Sequence, residues 1–168
     1  MTVAPFPWLF EYSDDPVVGT DTRWGRAVLR PLVEVRVIGP VDDERAFALV
    51  DSGTEYTLIQ RWIAQAIGID GDHDQEIPLG IAGETLRVSP ADVDFSFGPS
   101  TVGENQWARW STTVGVVDHW KAQWPIVLGQ RGFFDAFTVT MSRHAQMLAI
   151  NERDRFDEQF LVTRAPSS

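Results

Sequence analysis

Ala48-Leu49-Val50-Asp51-Ser52-Gly53-Thr54 places a carboxylate directly after an apolar run, in a turn made of one glycine and two hydroxyl residues. A carboxylate at the end of a buried strand is held stiffly. Gly53 lets another backbone come close and offers its own N–H, while Ser52 and Thr54 bring hydroxyl donors. The same residues also make an ordinary β-turn, in which Asp and Ser bond to nearby backbone. Both readings need the strand in front of the turn. Phe47-Ala48-Leu49-Val50 is long enough for a buried strand. Before it, Val33, Val35 and Val37 alternate with Glu34 and Arg36 at a period of two, the pattern of a half-buried strand. Gly39-Pro40 and the polar Asp42-Asp43-Glu44 separate the two runs and predict a hairpin.

After the turn, Ile59, Trp62, Ile63, Ala66 and Ile67 fall at i, i+3, i+4, i+7 and i+8, which predicts a helix ended by Gly68. Strand patterns then return. Ile77 to Val88 surrounds Gly80 and Gly83, Val93, Phe95 and Phe97 alternate with polar residues, and Val114–Val117 and Ile126–Leu128 are short apolar runs. Gly132 to Phe137 reads as a short helix, and Phe137–Met141 with Met147–Ile150 as a final strand pair around a turn at 142–146. Residues 1–30, with Pro5, Pro7, Pro16, Gly19 and Gly25, predict an extended arm that packs through Phe6, Trp8 and Phe10. Residues 151–168 are charged, then small and polar, and predict a frayed tail. The expectation is a single mainly β domain over 31–150, antiparallel for the most part and partly closed, with one or two short helices.

With 168 residues the chain fits one domain, and 43% hydrophobic residues supply a core, which excludes a disordered chain. Lys and Arg number 14 against 24 Asp and Glu, a net charge of −10 that repels a phosphate backbone and argues against nucleic-acid binding. No cysteine is present, so disulfides, thiolate metal sites and cysteine nucleophiles drop out together. The first residues lack a basic start and a long apolar stretch, and no apolar run is long enough to cross a membrane, so a cytoplasmic location is expected.

Three segments, in order, resemble the aspartic proteases, and among them the single-domain retropepsin-like family. They are Ala48-Leu49-Val50-Asp51-Ser52-Gly53-Thr54 with Glu55-Tyr56-Thr57-Leu58-Ile59, the glycine-containing hairpin Gly80-Ile81-Ala82-Gly83-Glu84, and Pro125-Ile126-Val127-Leu128-Gly129-Gln130 leading into Arg131-Gly132-Phe133-Phe134. The resemblance covers residues 33 to 150. It implies a closed β domain in which Asp51 is catalytic and Ser52, Gly53 and Thr54 orient it. Ile81, Ala82, Gly83 and Glu84 would form a flap over the substrate, and Leu128-Gly129 would thread beside the catalytic loop. Glu55 reads either as a solvated charge or as a group that hydrogen-bonds substrate backbone. Two positions depart from the family pattern: Gln130 stands where an arginine commonly follows the Leu-Gly pair, and Ala82-Gly83 stands where retroviral relatives carry paired glycines.

Aspartic protease chemistry uses two carboxyl groups that share one proton. This chain has one such motif, so the resemblance implies a homodimer with an Asp51 from each copy at a two-fold axis, a polypeptide substrate and no cofactor. The competing class is a catalytically silent dimerisation or peptide-binding module of the same fold. Other local signals are weaker. Asp70-Gly71-Asp72-His73-Asp74-Gln75-Glu76 opens like a calcium loop, but Gln75 and Ile81 occupy the positions that need glycine and glutamate. His73, His119 and His144 have no metal-ligand spacing, and Ser52 lacks a nucleophile elbow. The tryptophans at 107, 110, 120 and 124 are read as core, since the acidic charge disfavours a base-stacking platform.

Overall fold

A computed structural model describes residues 8–16, 27–81, 84–99, 102–103, 107–118, 120 and 123–154. Of the arm expected over residues 1–30, the described residues 8–11, 13–16 and 27–30 lie in strands. Strand β1 (Trp8–Glu11) pairs inside a sheet, and β2 (Ser13–Pro16) and β3 (Ala27–Arg30) pair with each other. Burial explains the difference: Trp8 is 3% exposed and meets Phe97 and Phe137 edge-on at 5.2 and 6.3 Å. An indole buried in this way outweighs the local preference of the flanking sequence for irregular structure. Pro16 stands at the last position of β2, and Pro5 and Pro7 lie outside the described residues.

The expected hairpin forms from β4 (Leu32–Ile38) and β5 (Asp43–Val50), in register from Leu32↔Leu49 to Ile38↔Asp43. Val33, Val35 and Val37 point into the core, and Glu34 points out. Next come β6 (Leu58–Gln60) and helix α1 (Arg61–Ala66). The predicted helical face is corrected here. Ile59 belongs to β6, paired with Ile126 and Val116, so the helix starts later and turns Ile63, Ala64 and the capping Ile67 inward. Trp62 is left 47% exposed, its indole N–H donating to Gln60 Oε1 at 2.8 Å.

A 3₁₀ turn at His73–Gln75 precedes β7 (Ile77–Ile81), which pairs antiparallel with the long β8 (Glu84–Phe97). The chain continues through β9 (Val102–Gly103), β10 (Ala108–Val117), β11 (Ile126–Leu128), β12 (Phe137–Ser142) and β13 (Met147–Glu152). The larger sheet has the order β10-β6-β11-β5-β4-β8-β7, and β8 also pairs with β10 along its length. That last pairing closes six strands into a barrel and leaves β7 as a strand attached to β8 alone. A second sheet, β12-β13-β1-β9, adds Leu148 and Ile150 to the same core. The closure and the mainly β character agree with the sequence expectation.

The helix expected over Gly132–Phe137 is a series of turns instead. The carbonyl of Gly132 accepts the indole N–H of Trp110 at 2.7 Å, and Ala136 N–H donates to Phe133 O in a tighter turn. Only Phe137 N–H, on Phe133 O at 2.9 Å, makes a bond of helical span there. Of the expected tail, Asn151 and Glu152 belong to β13, and residues 155–168 lie outside the described residues. Among the described residues no helix is long and apolar enough to cross a membrane.

Candidate active site

Asp51 is the first residue after β5, and it is held at both ends. Its backbone N–H donates to Leu128 O at 3.1 Å. Its Oδ1 accepts the N–H of Gly53 at 2.9 Å, and its Oδ2 accepts Thr54 Oγ1 at 2.6 Å. An ionised carboxylate has about four acceptor positions, so one donor on each oxygen orients the group and leaves capacity for a further partner. Asp51 is half-buried, while Ser52 and Gly53 are exposed.

Strand β11 fixes the loop from below. It runs parallel to β5, with Ile126 opposite Ala48 and Leu128 opposite Val50, and antiparallel to β6, with Ile126 opposite Ile59. The strands that enter and leave the Asp51 loop are therefore both bonded to one third strand. Gly129 follows, and its backbone lies against the loop so closely that a Cβ there would fall 2.3 Å from Tyr56 O and 2.7 Å from Thr54 O. Only glycine allows that approach. Three bonds then join the two segments: Gln130 N–H to Thr54 O at 2.9 Å, Arg131 N–H to Glu55 O at 2.8 Å, and Thr57 N–H to Arg131 O at 3.0 Å.

Three residues outside the sequence-derived set complete the arrangement. Thr57 is fully buried, and its Oγ1 donates to Arg131 O at 2.9 Å while accepting Gly129 N–H at 3.2 Å. Gln130, noted as a departure from the family pattern, donates its side-chain N–H to Ser52 O at 2.7 Å. Arg131, one position further, pairs through Nε with Glu55 Oε1 at 2.9 Å and lies over the Tyr56 ring at 5.5 Å. Glu55 is thus ion-paired, with half of its side chain in solvent. A buried threonine between apolar neighbours was the available signal for Thr57. Nothing local in the sequence marks the other two.

Of the flap residues, Ile81 and Glu84 are the paired ends of the β7–β8 hairpin, and Ala82 and Gly83 lie outside the described residues. A groove of about 440 Å³ is lined by Tyr56 and Arg131 beside the Asp51 loop and by Ile77 and Val88 at the base of that hairpin. A second cavity, of about 600 Å³, lies away from Asp51 on the outer face of β8 and β10. There Asp94 accepts Ser111 Oγ at 2.5 Å and Arg109 Nη2 at 2.6 Å, and these bonds, the hydroxyl's first, hold its carboxyl below the usual aspartate range.

The remaining sequence signals have structural roles. In the acidic loop, Asp72 accepts Asp74 N–H and Gln75 Nε2 and so caps the 3₁₀ turn. His73 Nδ1 lies 3.3 Å from Ser89 Oγ, His144 is exposed in the last turn, and His119 is outside the described residues. Among the described residues no group of three or more His, Asp or Glu side chains is placed to hold a metal ion. Trp110 is core, stacked on Phe95 at 5.1 Å, and Trp120 packs against Leu58, Val88 and Val117. Trp124 lies under the Arg30 guanidinium, and Trp107 departs from the core expectation at 55% exposure. No protein-family model and no curated protein matches this chain, so the site is read from its own geometry.

Proposed function

We propose that this chain is a homodimeric aspartic endopeptidase of retropepsin-like fold, in which Asp51 of two copies forms one catalytic pair. One observation carries the reading: a single carboxylate, with one hydrogen-bond donor on each oxygen, stands in an exposed turn whose two flanking strands are both bonded to β11. The Gly53 N–H bond is one that an ordinary turn aspartate also makes, and what goes beyond it is the Thr54 hydroxyl on the other oxygen and the seating of both flanking strands on β11. The closed barrel, the β7–β8 hairpin and the close seat of Gly129 against the loop fit the same reading.

In this mechanism one Asp51 is ionised and the Asp51 of the second copy carries the shared proton. The ionised carboxylate takes a proton from water as the water oxygen bonds to the peptide carbonyl carbon, and the protonated one gives its proton to the carbonyl oxygen. Collapse of the tetrahedral intermediate breaks the C–N bond: the leaving amine takes the proton that the first carboxylate had accepted from water, and a hydroxyl of the intermediate returns its proton to the second carboxylate, which restores the singly protonated pair. Gly53 N–H and Thr54 Oγ1 keep each carboxylate from rotating. An extended polypeptide lies between the loop and the hairpin as an added strand.

Digestion of a peptide library by the wild-type chain beside an Asp51→Asn control tests this. The proposal expects cleavage by wild type and none by the variant. Equal cleavage by both removes Asp51 from the chemistry, and no cleavage by a wild-type dimer leaves the silent binding module as the better account.

A further inference from the structure

The groove between the Asp51 loop and the base of the β7–β8 hairpin has walls of two kinds. Ile77, Val88 and Val114 give it an apolar side, while Tyr56, Arg131 and Asp135 bring an aromatic ring and two charges. Its volume of about 440 Å³ is in the range of a ligand site. Ile77 is 41% exposed, so part of the apolar side stands in water. The two charges are not equivalent. Arg131 is matched: its Nε donates to Glu55 Oε1 at 2.9 Å, and its guanidinium lies over the Tyr56 ring at 5.5 Å. Asp135 Oδ2 accepts the N–H of Gly132 at 3.3 Å, which keeps the carboxylate beside a residue that also lines the groove. Arg153 Nη1 reaches the backbone carbonyl of Asp135, at 3.4 Å, and not its carboxylate. Among the described residues the Asp135 side chain has no ion-pair partner, so the groove carries an uncompensated negative charge, in a chain whose net charge is −10.

We propose that this groove takes a long cationic side chain, lysine or arginine, of the polypeptide substrate: the aliphatic stem lies along Ile77, Val88 and Val114, and the charged end pairs with Asp135. The proposal rests on the reading of the Asp51 loop and the hairpin as a peptide-binding cleft, and it adds a substrate class to that reading. A peptide bound as an added strand gains affinity through its backbone and specificity through pockets for alternate side chains. Lysine and arginine combine a long apolar stem with a cation and so suit both kinds of wall. Net charge favours the same substrates, because an acidic surface raises the local concentration of cationic peptides and repels acidic ones. A glutamate in the groove would meet Arg131 already engaged by Glu55 and would be repelled by Asp135.

The test uses uncharged peptides through which a single lysine, norleucine or glutamate is stepped, and it measures their binding to the full Asp51→Asn chain by fluorescence anisotropy at low and high salt. Norleucine keeps the stem of lysine and lacks the ammonium. At one position lysine should bind about fivefold more tightly than norleucine, the upper range for an ion pair in an exposed setting. Glutamate should bind more weakly than both there, and the lysine gain should shrink as salt rises. Adding Asp135→Asn, which keeps an oxygen for the Gly132 N–H, should reduce the lysine gain to about twofold or less, and Asp135→Lys should make glutamate the favoured residue at that position. A lysine gain equal at every position reflects net charge alone and would overturn the proposal. So would a preference for glutamate with Asp135 in place, a lysine gain that survives both Asp135 variants, or no binding at any position. The positional scan leaves Asp135 unchanged, so it does not depend on whether the Asp135 variants fold. None of these readouts needs hydrolysis. Peptides that bind with the Asp135-dependent preference and are not cleaved by the wild-type chain would remove the protease reading alone, and wild-type cleavage indifferent to lysine and to Asp135 would remove this inference alone.

Discussion

Replacing Thr57 by valine changes one buried oxygen into a methyl group at almost constant volume, so its effect follows from two hydrogen bonds. Arg131 O loses the hydroxyl at 2.9 Å but keeps Thr57 N–H at 3.0 Å and remains satisfied. Gly129 N–H loses Thr57 Oγ1 at 3.2 Å in a buried setting, where no water replaces it. The lost bond and the orphaned amide together cost about 2–4 kcal/mol. For a domain of this size that lowers the thermal midpoint by about 5–15 °C. Urea unfolding followed by circular dichroism measures the difference, with Thr57→Ser as the comparison. Serine keeps the oxygen and loses one methyl, so it should cost about 1 kcal/mol. Because Gly129 and Arg131 hold the Asp51 loop, valine should also lower kcat more than it raises KM, and serine should restore most of the rate. A valine variant within about 0.5 kcal/mol of wild type, or a serine variant no better than valine, would refute the argument that this hydroxyl locks the two loops.

Gly129→Ala should displace the loop and abolish activity, since its Cβ meets backbone atoms of Tyr56 and Thr54 that cannot rotate away; a soluble, fully active alanine variant would contradict the close approach. The lowered Asp94 carboxyl contributes stability that is complete above the ordinary aspartate value of 3.8 and disappears as pH falls through its lowered value. Asp94→Asn should therefore flatten the fall in urea midpoint below about pH 4 and leave the profile from about pH 4 to pH 6 unchanged, and an unaltered profile below about pH 4 would count against that linkage. Hydrolysis should peak at mildly acidic pH in a bell-shaped profile, as a pair sharing one proton requires, and a rate that climbs steadily from about pH 5 to pH 8 would indicate a different base.

Periodicity made β4 legible, because Val33, Val35 and Val37 face the core and Glu34 does not, whereas β7, with Ile77 exposed and Leu79 half-buried, was legible only as a strand run around its glycines. It misplaced the helix for a specific reason. Ile59 and Ile63 are both buried, but one is in β6 and the other in α1, and spacing alone does not distinguish a continuous helix from a strand that turns into one. At the N-terminus the packing of Trp8 and Phe10 follows the expectation, but the pairing of β1 with β13 and β9 was not legible, because it joins residues far apart in the chain. The same holds at the candidate site. The turn at Asp51 was visible in its own residues, whereas the roles of Thr57, Gln130 and Arg131 exist only once β11 is placed between β5 and β6.

The central claim is that two chains complete one site, and subunit mixing tests it directly. Wild-type chain is held at fixed concentration above its dimer Kd, increasing Asp51→Asn chain is added, and hydrolysis is measured after exchange. If each site needs an Asp51 from both copies, mixed dimers are inactive and an equal amount of variant lowers the wild-type rate to about half. A rate that stays constant through the titration would show that one chain suffices and would contradict the account.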